Sequence, residues 1–557
     1  MKKSKFLLLL ALSLVLSAFL AGCYGGEEES GGATEGGDGE DTAVEQVLNV
    51  TESAEIPTMD SVMASDAVGF NVMNQVFEGL YRLDQNDQPT EGMATGYEVN
   101  EDETVFTFTL RDDATWSNGD PVVAEDFVYA WRKAVDPNTG SEYGPYMMSG
   151  VIKNATAVSE GEVDPSELGV TAENETTLVV ELEKPTPYFL SLMTFPTFLP
   201  QPSGYVEEMG DEYALNSDSL VYNGPFVLSN WDGTGLSWEY EKNADYWDAD
   251  NVALDTVNVQ VVKEAQTGMN LYEGEEIDVV GLTAEYVTQY KDSPELQVEK
   301  EPTIFWLKMN QTKTAALANE NIRRAITMAV DKEAMVNEIL NNGSVAANYA
   351  IPAEFVSHPE TGEDFRAKYG DFNTYDPEQA AKLFAQGLEE EGLETLEIGY
   401  LGGDSEIGIR LDEYVVNQLE TNLEGLSINL QSVPFNVRLD LDTQMDYDLQ
   451  NAGWGPDFQD AMTFANLWVT DGGNNMMGYS NPEYDALINQ AENELAQSPV
   501  ERFEALQEAE RILLEEDAAI APLYQRGVTR LVREKVEGLT PHAFGPDWSY
   551  KYVSISE

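Results

Sequence analysis

The stretch NAGWGPDFQD, residues 451–460, places an indole, two glycines, a proline and a carboxylate within five consecutive positions. Gly453 and Gly455 leave the backbone beside Trp454 bare, so another group can approach it closely. The proline restricts the backbone ahead of Asp457. A fixed carboxylate behind an aromatic ring suits a ligand with a cationic end. On spacing alone, however, a turn at the edge of a core with a solvated aspartate is the more common explanation.

Acidic residues dominate the composition. The 557-residue chain carries 101 Asp and Glu against 30 Lys and Arg, a formal net charge of −71. A surface of this sign repels nucleic acid and anionic lipid, which excludes both as direct electrostatic partners. The acidic residues are spread along the whole chain, which indicates a solvated surface rather than a metal site, and we expect it to suit a saline or alkaline exterior. The length predicts two or three domains.

The N-terminal segment, residues 1–22, has the composition of a lipoprotein signal peptide. Three lysines precede an apolar run at 6–20, which is shorter than the roughly 20 residues needed to span a bilayer. The sequence LAGC that follows resembles the bacterial motif at which a peptidase cuts before a lipid-modified cysteine. Cys23 is the single cysteine, so it cannot form an internal disulfide, and we predict lipid attachment to it. An ordinary signal peptide with an incidental cysteine is the alternative.

A second N-terminal feature is the segment 23–43, rich in Gly, Glu, Asp and Ser and without apolar periodicity. This composition predicts a flexible, acidic, glycine-rich tether. With a lipid on Cys23, the tether would hold a globular protein at the extracellular face of a bacterial cell membrane, of the Gram-positive type. The folded part is expected to begin at 44–48.

Helix-like and strand-like patterns alternate along the rest of the chain. Apolar residues at helical spacing predict helices over 66–81, 124–135 and 321–340. Alternation of apolar and polar residues predicts a strand over 103–111, and a further strand is predicted over 304–309. The mixture predicts an α/β fold, with mixed α and β elements.

Few residues could support catalysis or metal binding. The two histidines, His358 and His542, are more than 180 positions apart, and no cysteine accompanies them. A His/Cys zinc site and a Cys–His nucleophile pair are therefore excluded. The sequence also lacks the glycine motifs that bind phosphates, and we predict neither a metal, nor a cofactor, nor an enzyme. Because 101 acidic residues supply carboxylate pairs by chance, a secreted glycosidase stays open as the alternative from another class.

Several segments, in the same order, resemble the extracellular solute-binding proteins of peptide ABC importers, the oligopeptide-binding lipoproteins of family 5. The resemblance runs from about residue 47 to the C-terminus, and its strength lies in the ordered set rather than in any one segment. The segments include EIPTMD at 55–60, FEGLY at 77–81, WSNGDPV at 116–122, NGPF at 223–226, NADYW at 243–247, IRRAI at 322–326 and WGPD at 454–457.

The resemblance implies a bilobal, periplasmic-binding-protein-like fold with an extra subdomain in lobe one and a hinge between the lobes. The ligand would be enclosed where the two lobes close on each other. By similarity, the core subdomain of lobe one takes residues 44–79, 204–302 and 527–557, its extra subdomain takes 80–203, and lobe two takes 303–526.

The resemblance also implies which residues hold an extended peptide. Asp457 matches the carboxylate that pairs with the free α-amino group of the peptide, a charge-assisted pair that fixes the register. Gly453, Trp454 and Gly455 match the strand that hydrogen-bonds the peptide backbone, which makes binding tolerant of sequence. The remaining matched positions are Ser65, Asp66 and Ala67 on the opposing strand, the aromatic residues Tyr143 and Phe435, and Phe305 or Trp306.

Asn451 departs from the family pattern, in which an arginine stands at this position. A second basic residue expected near Gln444 is also missing, although Arg438 lies close by. Such cations help to anchor the C-terminal side of peptides of particular lengths. The departures, together with the acidic pair Ser65 and Asp66, point toward basic or longer peptides.

The function implied by the resemblance is that of a lipid-anchored, monomeric extracellular receptor. It would capture oligopeptides between its lobes and deliver them to the permease subunits of a membrane ABC importer. Its contact with the membrane would run through the lipid on Cys23. The alternative within the fold is another solute: a peptide pheromone, a dipeptide, an oligosaccharide or a nickel complex. The presence of only two histidines argues against a metal ligand.

Overall fold

The computed structural model of the protein describes residues 44–186, 188–283 and 285–557 as a mixture of helices and strands. The predicted signal peptide, Cys23 and the whole of the tether precede these ranges, so those predictions lie outside the described residues. Within the described ranges, no helix is long and apolar enough to cross a membrane.

Strands form where apolar and polar residues alternate, because successive side chains of a strand point to opposite faces. In the predicted strand 103–111, Phe106, Phe108 and Leu110 are buried, and the threonines between them are less so. The strands of the described ranges are β1 Val47–Glu52, β2 Tyr81–Leu83, β3 Pro89–Glu91, β4 Ala94–Val99, β5 Val105–Leu110, β6 Val170–Asn174, β7 Thr177–Glu181, β8 Phe226–Ser229, β9 Ser237–Lys242, β10 Thr256–Val261, β11 Val279–Leu282, β12 Leu296–Met309, β13 Val345–Ala346, β14 Leu396–Gly403, β15 Leu426–Val433, β16 Leu449–Trp454, β17 Ala521–Val532, β18 Val536–Glu537 and β19 Ser554–Ile555.

Several α-helices begin at residues whose side chains accept a hydrogen bond from the first turn. Asp66, Asn319, Asp376, Ser405 and Asn481 all do so. The α-helices of the described ranges are α1 Ala67–Val76, α2 Ala124–Val135, α3 Tyr143–Met148, α4 Ala155–Ser159, α5 Phe189–Leu192, α6 Ser203–Met209, α7 Ala265–Glu273, α8 Glu285–Tyr290, α9 Glu320–Met328, α10 Lys332–Ala334, α11 Pro377–Glu391, α12 Glu406–Asn422, α13 Phe435–Thr443, α14 Met462–Ala465, α15 Pro482–Glu492 and α16 Pro499–Arg511.

Three sheets of four or more strands organise most of the elements in the described ranges, and β2-β3 and β18-β19 form two-stranded sheets. One has the order β1-β10-β9-β8, with β1 parallel to β10, and a second is the antiparallel sheet β4-β5-β7-β6. The largest has the order β11-β17-β12-β16-β14-β15, with β13 also paired to β17. At its centre, antiparallel β12 and β16 place Phe305 opposite Gly453 and Lys308 opposite Gln450.

The pairing of β12 with β17 shifts register between Lys300 and Ile304. The predicted boundary between lobe one and lobe two, at 302/303, falls within this irregularity. The residue ranges of the lobes remain predictions, as do those of the extra subdomain.

Two predicted helices differ from the observed ones, whereas the helix over 124–135 is confirmed. The prediction over 66–81 was wrong beyond Val76, where the chain becomes extended. There the backbone N–H of Glu78 donates to Asn223 Oδ1 (2.9 Å) and its carbonyl accepts from Asn223 Nδ2 (3.0 Å). These contacts with a distant segment replace the bonds that would continue the helix.

The predicted single helix over 321–340 is interrupted. Helix α9 ends at Met328, and helical structure resumes at Lys332, continuing as a π-helical turn over Met335–Leu340. Between them Asp331 leaves the helical region (φ −76°, ψ 91°) and its side chain accepts from the N–H of Ala334 at 3.0 Å. An aspartate that caps a new helix can thus divide a continuous apolar pattern.

Candidate ligand-binding site

A cavity of about 590 Å³ lies beside the central strands of the largest sheet. One side is formed by the segment that enters α1 and by the start of α3, and the other by β12, β16 and α13. Segments far apart in sequence therefore meet around one enclosed space. Cavities of this kind are where proteins usually bind small ligands.

All twelve predicted peptide-contacting residues line this cavity. The two alternatives on β12, Phe305 and Trp306, both do so. The twelve are Ser65, Asp66, Ala67, Tyr143, Phe305, Trp306, Phe435, Asn451, Gly453, Trp454, Gly455 and Asp457. The structure thus brings the predicted residues together, while their roles in peptide binding remain predictions.

Asp457 is a buried carboxylate with no cation paired to it among the described residues. Its side chain belongs to a residue that is only 5% exposed, and Oδ2 has no hydrogen-bond partner within the described part of the chain. The backbone N–H of Asp457 donates to Thr463 Oγ1 (3.0 Å), which fixes the residue in place. Burial raises the pKa of the carboxyl well above its usual range, and the nearby Tyr146 hydroxyl, which lowers it, offsets only part of the effect. The site can therefore accept a positively charged group.

Aromatic rings enclose this carboxylate. The ring of Tyr143 stacks on that of Trp454 with centroids 6.1 Å apart, and the ring of Tyr146 meets Trp454 edge-on at 5.8 Å. Tyr143 also stacks on Phe195 at 5.7 Å. Stacked and edge-on rings form a rigid, largely apolar wall, which excludes water and strengthens any charge pair made with Asp457.

The bare backbone of Gly453 is already approached by a side chain of the protein itself. A Cβ atom at this position would lie 2.5 Å from Cε1 of Phe305, which is too close for any other residue. The Phe305 ring in turn stacks on Tyr524, with centroids 4.7 Å apart. Gly455 is less constrained, since its Cβ would lie 3.2 Å from Thr303 Oγ1. The glycines therefore serve the packing of the strand as well as access to it.

A cation stands near Asn451 even though the family arginine is missing. The Arg438 side chain donates from Nη1 to the Asn451 carbonyl at 3.0 Å. On the same side, Tyr400 donates its hydroxyl to Asp412 Oδ1 at 2.8 Å. Burial raises the pKa of Asp412 to about 6, and the hydrogen bonds from Tyr400 and the Asn451 side chain lower it in part. This end of the cavity thus holds the guanidinium of Arg438 together with Asp412, whose raised pKa favours the uncharged form of its carboxyl.

Contacts across the cavity join segments assigned by similarity to different lobes. Thr443 donates its hydroxyl to Glu142 Oε1 at 2.9 Å, and Tyr146 donates its hydroxyl to the carbonyl of Thr463 at 3.3 Å. At another edge Lys263 Nζ lies 3.0 Å from Asp404 Oδ2. These polar contacts hold the two sides of the cavity together.

Sequence reasoning missed several residues at the site. Gln450 and Trp468 line the cavity, and Tyr146 and Thr463 hold Asp457. Tyr146 was detectable, because it follows Tyr143 by three positions and residues so spaced share one face of a helix. The other three carry no local signal, since their positions depend on contacts between distant segments.

Within the described ranges, His, Cys, Asp and Glu side chains form no group that could hold a metal ion. A mixed α/β fold around a cavity, with a buried carboxylate oxygen in its wall that has no partner among the described residues, is the arrangement of a ligand-binding protein. Comparison with known proteins agrees with this class. Residues 88–476 match the family described as bacterial extracellular solute-binding proteins, family 5 Middle. The chain belongs to this family, as its sequence predicted.

Relatives extend the match to nearly the whole chain. The oligopeptide-binding protein OppA of Bacillus subtilis (strain 168) is 32% identical over 545 residues, covering 95% of this chain and 96% of its own. A dipeptide-binding protein of Lactococcus lactis subsp. cremoris (strain MG1363) is 31% identical over 530 residues, covering 93% of this chain and 96% of its own. These relatives are binding proteins, not enzymes.

A solved structure agrees with the fold. Listeria monocytogenes OppA bound to peptide is 43% identical and covers 92% of this chain and 100% of its own, with a TM-score of 0.89. The predicted mixed α/β, bilobal, periplasmic-binding-protein-like fold is confirmed.

Proposed function

We propose that this protein is a receptor that captures oligopeptides in the cavity between its two lobes and delivers them to a membrane ABC importer. The observation that carries the proposal is Asp457, a buried carboxylate whose Oδ2 has no partner among the described residues. An uncompensated buried carboxylate is costly to a fold. A peptide α-ammonium group would compensate it, and relatives of this chain are named as oligopeptide-binding proteins.

The strand that leads to Asp457 supports an extended ligand. Gly453 is exposed and Trp454 is half-buried at the end of β16, so backbone groups face the cavity beside the aromatic wall. A peptide in extended conformation can bond to such backbone groups whatever its side chains are. The segment 65–67 lines the opposite side, where a second set of backbone contacts would form.

Isothermal titration with tri-, tetra- and pentapeptides, each with a free or an acetylated N-terminus, tests the proposal. We expect free peptides to bind and acetylated ones to lose at least about 100-fold in affinity, because acetylation removes the cation that would pair with Asp457. Equal affinity for both forms would exclude the assigned role of this carboxylate. Failure of every peptide to bind would exclude the function itself.

We infer in addition that the receptor is a monomer held at the extracellular face of the cell membrane by a lipid on Cys23. The apolar segment 6–20 and the following LAGC support this inference, and the acidic tether 23–43 would give the receptor reach to the importer. In bacterial cells, Cys23→Ala should release the protein into the medium, whereas the unsubstituted chain should stay with the membrane. Retention of the variant on the membrane would exclude the anchor.

Delivery to the importer is tested separately from binding and anchoring. Cells that lack their own peptide receptors should regain uptake of a labelled peptide when they express this protein with its importer. They should not regain it with a variant that fails to bind peptide, such as Asp457→Asn. Uptake that is equally restored by the variant would contradict delivery by this route.

A further inference from the structure

One side of the cavity forms a pocket that recognition of the peptide N-terminus does not use. We call it the polar pocket and define it by Trp306, Gln450, Trp468, Asn474 and Met476. Paired residues of antiparallel strands point to the same face of the sheet. Gln450 pairs with Lys308, and Lys308 shares its face with Trp306, two positions earlier on β12. Trp306 and Gln450 therefore lie on one face of the sheet.

The far wall of the polar pocket is held by the loop after Trp468. The ring of Trp468 meets that of Trp306 edge-on, with centroids 5.7 Å apart. Asn475 Nδ2 donates to the carbonyls of Val469 (2.9 Å) and Tyr479 (2.7 Å), which fixes the loop that carries Asn474. The ring contact and the hydrogen bonds of Asn475 therefore hold both walls of the pocket in place.

Three polar atoms of these walls lack a partner. Trp306 Nε1, Gln450 Oε1 and Asn474 Nδ2 make no hydrogen bond within residues 44–186, 188–283 and 285–557. Trp306 and Gln450 are 4% and 1% exposed. Buried polar groups in proteins are normally paired, and each exception calls for an explanation.

The charges beside the polar pocket already have partners within the described residues. Lys308 Nζ donates to both carboxylate oxygens of Asp442, at 2.8 and 2.9 Å. Glu142, which also lines the cavity, accepts from Thr443. A carboxylate entering here would meet two like charges. An ammonium group carries donors only, so it could pair with Gln450 Oε1 but not with the two unpartnered N–H groups.

The unpartnered atoms are complementary to a carboxamide. An indole N–H only donates, whereas an amide side chain has one donor and one acceptor end. A ligand carboxamide can accept from Trp306 and Asn474 and donate to Gln450 Oε1. An aliphatic side chain leaves all three groups unpaired, and a lysine leaves both N–H groups unpaired.

The geometry points to the polar pocket as a specificity pocket for peptides that carry an asparagine or glutamine side chain. This inference rests on the proposed function, because it needs a peptide in the cavity. It deepens that function: the backbone and Asp457 would accept many peptides, and the polar pocket would rank them by one side chain.

A positional scan of peptides with the full chain tests the inference without any variant. Pentapeptides of alanine with a free N-terminus receive Gln, Asn, Glu, Lys, Leu or Met at one position at a time, and affinities are measured by titration. At one position we expect Gln or Asn to bind at least about tenfold more tightly than Leu, Met, Glu and Lys, since an analogue that cannot bond leaves buried polar groups unpaired. Methionine matches glutamine in length and controls for size.

Variants connect the preference to the pocket. Trp306→Phe removes the indole donor, and we expect it to reduce the preference for Gln over Met about fivefold to tenfold. Trp231→Phe is the matched control, because Trp231 is 3% exposed and its Nε1 is also unpartnered within the described residues, but it does not line the cavity. We expect the control to keep the preference unchanged.

The outcomes separate this inference from the proposed function. Binding of the alanine peptides with no preference at any position, or with Lys or Leu preferred, would overturn the polar pocket and leave the receptor function intact. A preference for Gln that survives Trp306→Phe in full would also overturn it. Binding of no peptide at all would overturn the receptor function first.

Discussion

Two aspartates three residues apart, Asp457 and Asp460, differ in whether the protein supplies a cation for the carboxylate. Asp460 pairs with Arg502 through both carboxylate oxygens, at 2.7 and 2.8 Å, and also accepts from the N–H of Met462 at 2.9 Å. Asp457 is more deeply buried and has no cation, with Oδ2 unpartnered within the described residues. One segment thus carries a carboxylate satisfied by the fold and one left unsatisfied.

The difference indicates how a receptor separates stability from binding. A buried carboxylate that supports the fold brings its cation with it, because an unpaired charge is costly. A carboxylate that anchors a ligand must leave the place of the cation open, at some expense to the stability of the ligand-free protein. Removing each charge should therefore affect a different property.

The largest expected effect is on peptide affinity. Asp457→Asn removes the charge and keeps the shape, so we expect a free peptide to lose roughly 3 kcal/mol of binding free energy or more, at least about 100-fold. The matched variant Asp460→Asn should change affinity less than about threefold in the same titration. The comparison fails if the two variants lose affinity to a similar degree.

The second expected effect is on stability, where Asp460→Asn should have the larger effect. Asp460→Asn weakens a bidentate pair and leaves Arg502 without its carboxylate, so we expect about 2–3 kcal/mol to be lost from the free energy of unfolding. Asp457→Asn should leave the ligand-free stability unchanged or raise it, because the uncompensated carboxyl is gone. Urea denaturation of both variants without peptide measures this. A loss of stability in Asp457→Asn equal to that in Asp460→Asn would contradict the assignment.

The sequence predicted a role for Asp457 and none for Asp460. Asp457 stands in a motif shared with a family, and the segments around it reproduce a known order, so its place in a cavity could be predicted. Arg502, the partner of Asp460, lies 42 positions away, and no local pattern joins the two. Contacts of this kind depend on how distant segments pack, which periodicity does not encode.

The same limit explains the errors in the helices. The helical spacing of apolar residues continues past Asp331 and into 77–81. The first pattern is nevertheless interrupted because Asp331 caps a new helix, and the second helix ends because Glu78 bonds to Asn223 instead. The polar pocket could not be predicted for a similar reason. Trp306, Gln450 and Asn474 come from separate segments of the chain, which only the folded structure brings to one cavity.

A third prediction tests whether the strand leading to Asp457 is positioned by Phe305. In Gly453→Ala the new Cβ would lie 2.5 Å from the Phe305 ring, so the ring or the strand must shift. We expect about 2 kcal/mol of lost stability and a weaker affinity for peptides, because overpacking forces such shifts. Adding Phe305→Leu should restore most of the stability. Gly455→Ala is the control, where the contact at 3.2 Å with Thr303 Oγ1 is milder. Equal losses in both variants would exclude this role of Phe305.

The smallest effect, and the one most specific to Asp457, is on pH dependence. Burial raises the pKa of this carboxyl in the ligand-free protein, and a peptide ammonium group would lower it again because it favours the charged form. Binding should therefore release a proton below the raised pKa, and affinity should fall as the pH is lowered, by at most tenfold per pH unit, or about 1.4 kcal/mol.

Titration in two buffers of different ionisation enthalpy, between pH 5 and 7, counts the protons released on binding. The α-amino group of the peptide stays charged in this range, so its own titration, near pH 8, does not interfere. Asp460→Asn should release as many protons as the unsubstituted chain, because its charge is not the one that meets the ligand. Asp457→Asn should release fewer. Proton release that persists undiminished in Asp457→Asn would assign it to another group, such as Asp412, whose pKa burial raises to about 6.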